Sequence, residues 1–357
     1  MKSNNNGFLY PVVDKTKCID CGLCDRSCPV LTQNKSNGEH KKAIAVQAKD
    51  GSVVEKSSSG GAFYLLASEV INEGGYVCGV EVDKSNKIRH TIVNDFEGLE
   101  RLLGSKYVQS EIGETYTSVK ALLNSGKKVM FSGTPCQVNG LLSFLGAKYK
   151  NLLTVDVICH GVSSPYVWDR YMDHQERKHC SKVVGVNFRK KTIDWKNSGM
   201  ELRFENGQIY FKPMKDDAFF HQFLKNLCLR ETCYACEFKG HNRNSDITIG
   251  DFWGKDELYP ELDGDRGYSL IIANTDQAKA VIEANSHLKE GYEVELVKAL
   301  KYNGAYWDSV EKTPYRNDYI KSISRKPFDK ATNKYLRKIS IKRRMRYYFK
   351  KIKLLLK

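Results

Sequence analysis

Short apolar runs alternate with longer amphipathic stretches through the first half of the chain. Apolar runs bounded by turn residues predict buried strands, here over residues 43–48, 76–82, 128–131 and 152–158. Apolar residues at helical spacing predict helices between these strands, over residues 62–72, 96–103 and 116–124. This alternation of strand and helix favours an α/β core.

The second half of the chain has a different pattern. Residues 183–189 and 201–212 are strand-like, and the Asn-Gly pair at 206–207 is a strong hairpin signal. Further strands are predicted over residues 246–253 and 269–274. A hairpin added to alternating strands and helices predicts an α/β fold with a mixed sheet.

Composition divides the chain into three parts. The polar, turn-rich residues 34–42 separate an N-terminal module, residues 1–33, from the α/β core, residues 43–310. Residues 311–357 contain 17 Lys and Arg against three acidic residues, so they carry 14 of the net charge of +15. The core is therefore nearly neutral, and almost all of the net positive charge lies in a basic C-terminal tail.

The N-terminal module contains a run of four closely spaced cysteines. They are Cys18, Cys21, Cys24 and Cys28, in the pattern C-x2-C-x2-C-x3-C-P. This is the spacing with which bacterial-type ferredoxins bind a 4Fe-4S cluster. A zinc knuckle is the alternative, although zinc sites usually present two separated C-x2-C pairs. In two-cluster ferredoxins the fourth cysteine ligates the other cluster, so Cys28 either closes a local cluster or belongs to a paired module.

The cysteine content indicates metal or redox chemistry. The first 17 residues lack the basic and apolar segments of a signal peptide, and no stretch approaches the ~20 apolar residues of a membrane span. We therefore expect a cytoplasmic protein. Thiols stay reduced in that compartment, so the 11 cysteines favour metal binding over disulfides.

A second group of cysteines lies in the core, with the spacing C-x4-C-x2-C. It consists of Cys228, Cys233 and Cys236, and plant-type ferredoxins with this spacing take a fourth cysteine from elsewhere in the chain. Cys136 and Cys159 are the candidates, because each follows a predicted strand and ligands of α/β sheets gather at the carboxyl ends of strands. The pattern favours a second iron–sulfur cluster, with zinc as the alternative.

A stretch rich in serine and glycine precedes the predicted helix at 62–72. It includes Ser58, Ser59, Gly60 and Gly61. Backbone N–H groups and the positive end of a helix bind phosphate in such positions, although serines before a helix also serve as ordinary N-caps. Lys106 follows a helical stretch, where a lysine either contacts a pyrophosphate or lies in solvent.

Two further features lie at predicted strand ends. His160, between Cys159 and Gly161, is a candidate proton carrier or flavin contact, and a loop histidine with a structural partner is the alternative. Residues 251–254 (DFWG) place a carboxylate and two aromatic rings where they suit a flat cofactor or core packing. The sequence has no Gly-rich dinucleotide fingerprint and no Walker loop, which disfavours the usual nicotinamide site and nucleotide hydrolysis.

The tail, residues 334–357, mixes aliphatic and aromatic residues with Lys and Arg. Such a basic amphipathic helix can lie on an anionic membrane surface or bind a partner protein. The alternative is a helix packed on its own domain with a solvated basic face. No recognised nucleic-acid-binding fold accompanies the charge, so we expect no specific nucleic-acid partner.

Several of these stretches together resemble the coenzyme F-420 hydrogenase/dehydrogenase beta-subunit family of iron–sulfur flavoproteins. In order, the matching stretches are GFLYPVVDKTKCIDCGLCDRSCPV (7–30), SSSGG (57–61), GSKY (104–107), FSGTPCQ (131–137), VDVICHGVSSP (155–165) and LCLRETCYACEFKGHNRNSDITIGDFWG (227–254). The resemblance implies an FAD in the core with a cluster nearby, and a flavin-binding role for Ser58–Gly61 and Lys106. Members with an N-terminal ferredoxin module usually carry two cysteine runs, whereas this chain has one.

The prediction is an iron–sulfur flavoprotein oxidoreductase. It would pass electrons between ferredoxin-type clusters and FAD, with hydride chemistry on a deazaflavin-like coenzyme or another substrate. A ferredoxin or a hydrogenase or dehydrogenase subunit would donate electrons, and the tail would hold the protein at the inner face of the membrane. The alternative is a non-catalytic accessory protein of surface-polysaccharide biosynthesis with structural zinc or free thiols, since relatives in such gene clusters share these motifs.

Overall fold

The computed structural model describes residues 1–31, 42–192, 195–241, 243–262 and 266–338. The strands are β1 (Lys2–Ser3), β2 (Leu9–Tyr10), β3 (Lys42–Val46), β4 (Tyr76–Val82), β5 (Ile88–Val93), β6 (Val129–Gly133), β7 (Leu152–Val157), β8 (Val183–Lys190), β9 (Gly199–Phe204), β10 (Ile209–Pro213), β11 (Ile247–Asp251), β12 (Ser269–Ala273) and β13 (Tyr292–Glu293). The helices are α1 (Leu23–Arg26), α2 (Gly51–Lys56), α3 (Ala62–Asn72), α4 (Phe96–Leu102), α5 (Thr115–Asn124), α6 (Pro135–Leu145), α7 (Pro165–His179), α8 (Ala218–Leu224), α9 (Lys255–Leu258), α10 (Asp276–Ala284), α11 (Leu296–Ala299), α12 (Gly304–Trp307) and α13 (Arg316–Arg325). A 3-10 turn covers Glu231–Ala235, and residues 328–338 are also helical.

A mixed sheet lies at the centre of the described residues. Its eight strands have the order β13-β3-β12-β11-β7-β6-β4-β5 within that part of the chain. The four neighbours β11, β7, β6 and β4 run parallel, and the outer pairs are antiparallel. The predicted α/β core with a mixed sheet is confirmed. Because parallel strands end at one edge, the segments that follow β6, β7 and β11 meet there.

The connection from β6 to α6 shows how the sequence builds this edge. Thr134 and Gln137 form a reciprocal capping box, and Pro135 occupies the first turn, where a missing N–H costs nothing. The helix therefore begins within two residues of the end of β6. Cys136 is held in the first turn of α6 as a result.

A second layer is built around a three-stranded antiparallel sheet. Its strands have the order β10-β9-β8, and the turn at 206–207 joins β9 to β10 as predicted. Aromatic side chains from this sheet, α7, α8 and the C-terminal helices share one buried cluster, which includes Trp168, Phe188, Phe219 and Tyr319. This layer covers one side of the edge at which β6, β7 and β11 end.

The first part of the predicted basic tail packs against this second layer. Ile320 and Ile323 of α13, and Phe328 and Tyr335 beyond it, are buried in the same aromatic cluster. Residues 339–357, where most of the predicted amphipathic helix falls, lie outside the described residues. Across the residues that the structure does describe, none of the helices combines the length and the apolar character needed to span a bilayer.

The N-terminal end forms a small hairpin that lies against the core. β1 and β2 pair antiparallel, and Gly7, with φ of 77°, turns the chain between them. A Cβ at Gly7 would lie 2.6 Å from the Tyr166 backbone nitrogen, so only glycine permits this approach. Phe8 is 1% exposed and fixes the hairpin to the protein.

Candidate functional site

Four cysteine side chains converge at the edge where β6 and β7 end. They are Cys136, Cys159, Cys233 and Cys236. Burial is the first cause of a raised pKa at Cys159, and the other three thiols add to it electrostatically. Burial likewise raises the pKa of Cys233 to about 11, with Cys136 and Cys236 contributing. The geometry agrees, because a Cβ built at Gly161, two residues after Cys159, would lie 3.6 Å from the Cys233 Sγ.

The fold brings these thiols together from three separate segments. Cys136 and Cys159 follow adjacent parallel strands. Cys233 lies in the 3-10 turn and Cys236 directly follows it. That turn meets the loop after β7 at Gly161, where a Cβ would lie 3.4 Å from the Cys233 Cβ and 3.0 Å from a Leu229 methyl. The absence of a side chain at Gly161 therefore allows the two segments to touch.

The thiols line a recess rather than the outer surface. Solvent reaches the Cys136 side chain, yet burial is the largest cause of its raised pKa, and Cys236 adds to it. Cys159, Cys233 and Cys236 are half-buried. The space that these four thiols border is called the recess below.

Positive charge and hydrogen-bond donors surround the recess. Lys239 donates from Nζ to the carbonyl oxygens of Cys159, at 2.6 Å, and Ala305, at 2.8 Å. Against the effect of burial, the Lys239 charge lowers the pKa of Cys159, and Arg230 does the same for Cys136 and Cys233. This environment favours the thiolate form that iron or zinc requires.

Cys228 lies apart from the four thiols. It is 0% exposed within the aromatic cluster of the second layer, with its Sγ 3.5 Å from the Ser163 hydroxyl. Burial raises the pKa of Cys228 to about 12, and none of the other cysteines is among the causes. The sequence spacing therefore groups Cys228 with Cys233 and Cys236, whereas the structure places Cys136 and Cys159 beside them instead.

Four thiols are the donor set that a 4Fe-4S cluster requires. Among the residues that the structure describes, no three His, Cys, Asp or Glu side chains are close enough to hold one metal ion. Zinc binds sulfur at about 2.3 Å, which requires four thiolates almost in contact. Four thiolates that hold a 4Fe-4S core stand further apart because the inorganic core lies between them. The four residues therefore fit a cluster in kind and in number.

The N-terminal cysteines are arranged differently. Cys18, Cys21 and Cys24 are exposed and Cys28 is half-buried. Gly22, with φ of 66°, turns the chain into α1, and Arg26 donates to the Cys21 carbonyl oxygen at 2.9 Å. A cluster at this position stays a prediction.

His160 has a structural partner. Its Nε2 lies 2.9 Å from Asn226 Oδ1, and its ring centroid lies 4.9 Å from that of Phe223. Burial lowers the pKa of His160, which favours the neutral ring at neutral pH. The contact ties the loop after β7 to the turn that follows α8, and the predicted role as a proton carrier stays untested.

The serine- and glycine-rich loop is tied to β12 at the same edge of the sheet. Ser59 donates to the Tyr268 carbonyl oxygen at 2.5 Å, and the Gly60 N–H donates to Ser269 Oγ at 2.9 Å. A Cβ at Gly60 would lie 2.7 Å from the Ser269 backbone nitrogen and closer still to the Val46 carbonyl oxygen. Gly61, with φ of 96°, then begins α3. The loop is thus a rigid cradle at a helix N-terminus.

Lys106 lies close to this loop but is engaged elsewhere. Ser58 and Ser105 share a hydrogen bond of 2.8 Å, which brings the two segments together. The Lys106 ammonium donates to the carbonyl oxygens of Leu102, at 2.9 Å, and Leu103, at 2.8 Å, at the carboxyl end of α4. Burial lowers the pKa of Lys106 to about 7. In this structure the side chain caps a helix.

Two cations beside the loop were not predicted from the sequence. Arg189 donates from one guanidinium nitrogen to Asp251 at 2.6 Å, and its guanidinium also neighbours the Tyr107 hydroxyl. Lys191 donates to the Ser59 carbonyl oxygen at 2.8 Å, and burial lowers the pKa of Lys191 to about 8. Both belong to the basic triplet at 189–191, which was the only signal that could have indicated them.

An aromatic pair stands next to these cations. The rings of Trp195 and Trp253 lie 4.5 Å apart at 33°, and the Arg189 guanidinium carbon lies 5.9 Å from the Trp253 ring. Trp253 belongs to the DFWG stretch that the sequence singled out. The loop, two cations and two indoles therefore surround one region between the main sheet and the second layer.

One family model matches a central part of the chain. Residues 126–298, which include all four converging thiols, match the family model for the C terminus of the coenzyme F420 hydrogenase/dehydrogenase beta subunit. This match agrees with the resemblance that the sequence motifs indicated.

A solved structure of the F420-reducing NiFe hydrogenase complex from Methanosarcina barkeri contains a similar chain. The similarity has a TM-score of 0.49 at 16% identity and covers 84% of this chain and 94% of that chain. No curated protein matches the chain.

Proposed function

We propose that this protein is an oxidoreductase that carries a 4Fe-4S cluster bound by Cys136, Cys159, Cys233 and Cys236, next to an FAD. The convergence of these four thiols at the carboxyl edge of the sheet carries the proposal. Cys228 is left out of the ligand set because it lies in the aromatic core.

The electrostatics of the recess support a cluster with four thiolates. Such a cluster has net negative charge, which must be offset when it is partly removed from water. Lys239 and Arg230 supply two positive charges. The Val162 N–H donates to the Cys233 sulfur and the Thr134 hydroxyl lies 3.1 Å from the Cys136 sulfur, and hydrogen bonds to sulfur are a main determinant of cluster potential.

The region beside the Ser58–Gly61 loop is the proposed flavin site. A helix N-terminus preceded by glycine binds phosphate through backbone N–H groups, and Arg189 and Lys191 add positive charge for a pyrophosphate. Trp195 and Trp253 offer flat surfaces for a ring system. FAD, when bound, exchanges electrons singly with a cluster and in pairs with an organic substrate.

The family description suggests a deazaflavin coenzyme of the F420 type as the partner in hydride transfer. A ferredoxin or a hydrogenase or dehydrogenase subunit is the proposed donor. Cys18, Cys21 and Cys24 are exposed, so a cluster bound there would accept electrons at the surface. This N-terminal cluster is part of the proposal.

Iron analysis with matched cysteine variants tests the core ligand set. The chain is purified without oxygen with Cys18, Cys21, Cys24 and Cys28 changed to Ser, so that only core iron is counted. In this background we expect about four iron and four sulfide per chain, a severe loss in Cys233→Ser, and unchanged iron in Cys228→Ser.

Equal loss in both variants, or a colourless preparation that contains zinc, would contradict the assignment. The zinc result would instead favour the non-catalytic accessory protein. Flavin released on denaturation is measured in the same samples, and Lys191→Met is compared with the neighbouring variant Lys190→Met, whose side chain is paired with Glu55. Only Lys191→Met should lose flavin.

A further inference from the structure

We propose that Arg230 docks the N-terminal cysteine module onto the core and sets the reduction potential of the core cluster. The docking role is argued from contacts in the structure alone. The effect on the reduction potential rests on the proposed function, because it requires the core cluster. Arg230 acts as a positioning residue in both, because it binds neither electrons nor protons itself.

One side of Arg230 holds the N-terminal hairpin. Its guanidinium donates to the Leu9 carbonyl oxygen at 3.1 Å and to Gln109 Oε1 at 2.9 Å. The guanidinium carbon lies 4.2 Å from the centroid of the Tyr10 ring and 5.5 Å from that of Phe8. Arginine is suited to this combination, because its planar fork donates in fixed directions while its face stacks on aromatic rings.

The other side of Arg230 contacts the four-thiol site. Its backbone N–H donates to the Val162 carbonyl oxygen at 3.0 Å, and its own carbonyl oxygen accepts from the Cys233 N–H at 2.9 Å. Arg230 is also the N-cap of the 3-10 turn that carries Cys233, so its positive charge lies within one turn of that proposed ligand. One residue therefore contacts the hairpin that leads to Cys18 and the turn that carries Cys233.

The hairpin has only a few other anchors on the core among the described residues. Phe8 is buried, Gly7 packs on the Tyr166 backbone, and Ser164 donates to the Asn6 carbonyl oxygen. The partners Tyr166 and Ser164 lie at the start of α7, away from the turn that carries Cys233. Arg230 is the contact that also reaches the cysteine turn, so it links the position of the N-terminal module to the core site.

The expected effect on the cluster has a definite sign. Reduction adds one negative charge, and a nearby cation stabilises the reduced form more than the oxidised form. Arg230 therefore raises the midpoint potential of the core cluster. Its removal should shift that potential to a more negative value.

Two measurements on the full-length chain test the proposal. Amide hydrogen exchange of residues 2–10 measures docking of the hairpin and does not require a bound cluster. An anaerobic redox titration monitored by EPR measures the midpoint potential of the core cluster. The titration uses the chain in which Cys18, Cys21, Cys24 and Cys28 are changed to Ser, so that only one cluster contributes. The variants are Arg230→Gln, Arg230→Lys and Tyr10→Leu.

The three variants separate charge from docking. Arg230→Gln should speed exchange in the hairpin and lower the potential. Arg230→Lys should speed exchange while largely restoring the potential, because lysine keeps the charge without the fork. Tyr10→Leu should speed exchange and leave the potential of the core cluster unchanged.

The possible failures are distinguishable. Unchanged exchange in Arg230→Gln overturns the docking role, and an unshifted potential in a sample with full iron overturns the electrostatic role. Absence of iron from every variant, including the parent chain, overturns the proposed function instead, while the exchange data still decide the docking role.

Discussion

At the scale of single residues, burial changes the proton affinity of His90. Its ring stacks on Phe131 with centroids 5.4 Å apart and planes at 7°, and its Nε2 lies 3.2 Å from the Ser132 carbonyl oxygen. Burial lowers the pKa of His90 to about 4, although the bond to Ser132 acts in the opposite direction. The folded protein therefore keeps this ring neutral well below the usual titration range of histidine.

This shift predicts a loss of stability in acid. Below pH 6.5 the unfolded chain binds a proton at this histidine, whereas the folded chain does so only near pH 4. The free energy of unfolding should thus fall by about 3 kcal/mol across that interval from this residue. Urea unfolding followed by circular dichroism at pH 7, 5.5 and 4.5 should show a smaller fall in His90→Gln. The control is His287→Gln, which changes an exposed histidine and should leave the dependence of the unfolding free energy on pH as in the parent protein.

The cysteines show what spacing alone can and cannot predict. Spacing indicated that Cys233 and Cys236 belong together, and strand ends indicated Cys136 and Cys159. Spacing also included Cys228, because a pattern of intervals says nothing about which way a side chain points. Burial of Cys228 among aromatic rings is a property of the packed second layer, and no local sequence signal contains it.

At the scale of elements, the Ser58–Gly61 loop depends on one glycine. Backbone atoms of β3 and β12 crowd the position that a Cβ of Gly60 would take, and backbone atoms cannot rotate away. Gly60→Ala should therefore lower the free energy of unfolding by about 3 kcal/mol and release flavin. Gly304→Ala, where a Cβ meets open space, is the control and should change stability by less than about 0.5 kcal/mol. Equal denaturation midpoints for the two variants would show that the loop tolerates a side chain at Gly60.

Helices with a clear apolar period were predicted closely, and others were missed. The predicted helix over 62–72 and strand over 76–82 coincide with α3 and β4. α7 was missed because only one narrow face of this largely charged helix is buried, through Val167, Trp168 and Tyr171. Its polar residues dominate the local pattern, and its tertiary contacts supply the burial that local hydrophobicity does not indicate.

At the scale of the whole molecule, a buried ion pair joins the second layer to the main sheet. Arg189 at the end of β8 donates to Asp251 at the end of β11 at 2.6 Å, and its side chain is 3% exposed. A neighbouring pair between Lys190 and Glu55 is much more exposed, at 31% and 60%. The two pairs therefore allow a comparison at adjacent positions.

Loss of the buried arginine should be costly. Arg189→Ala leaves the Asp251 carboxylate without its partner, which typically costs about 3–5 kcal/mol, whereas Lys190→Ala should cost at most about 1 kcal/mol. Thermal unfolding of the two variants at pH 7 measures the difference. Similar melting temperatures would show that the layers are held together mainly by other contacts.

The interpretation of the C-terminal segment also depends on the packing of the whole molecule. Its charge suggested a tail that acts outside the core, yet residues as far as Tyr335 pack into the second layer. Membrane or partner binding stays a prediction that concerns residues 339–357, which the structure does not describe. The net charge of a segment does not distinguish a docked helix from a free one, because basic side chains can extend from a helix whose other face is buried.

The sequence by itself determined the class of fold and indicated the family resemblance and most of the proposed sulfur ligands, because apolar periods and cysteine intervals are local properties. Only the tertiary structure decided which cysteines share a recess, that Lys106 caps a helix, and that Arg189, Lys191 and Arg230 lie beside the proposed cofactors. Those facts depend on residues up to 221 positions apart in the chain. Such residues come into contact only when parallel strands end at one edge of the sheet and the second layer packs over that edge. The spacing of residues within a short stretch contains no information about these long-range contacts.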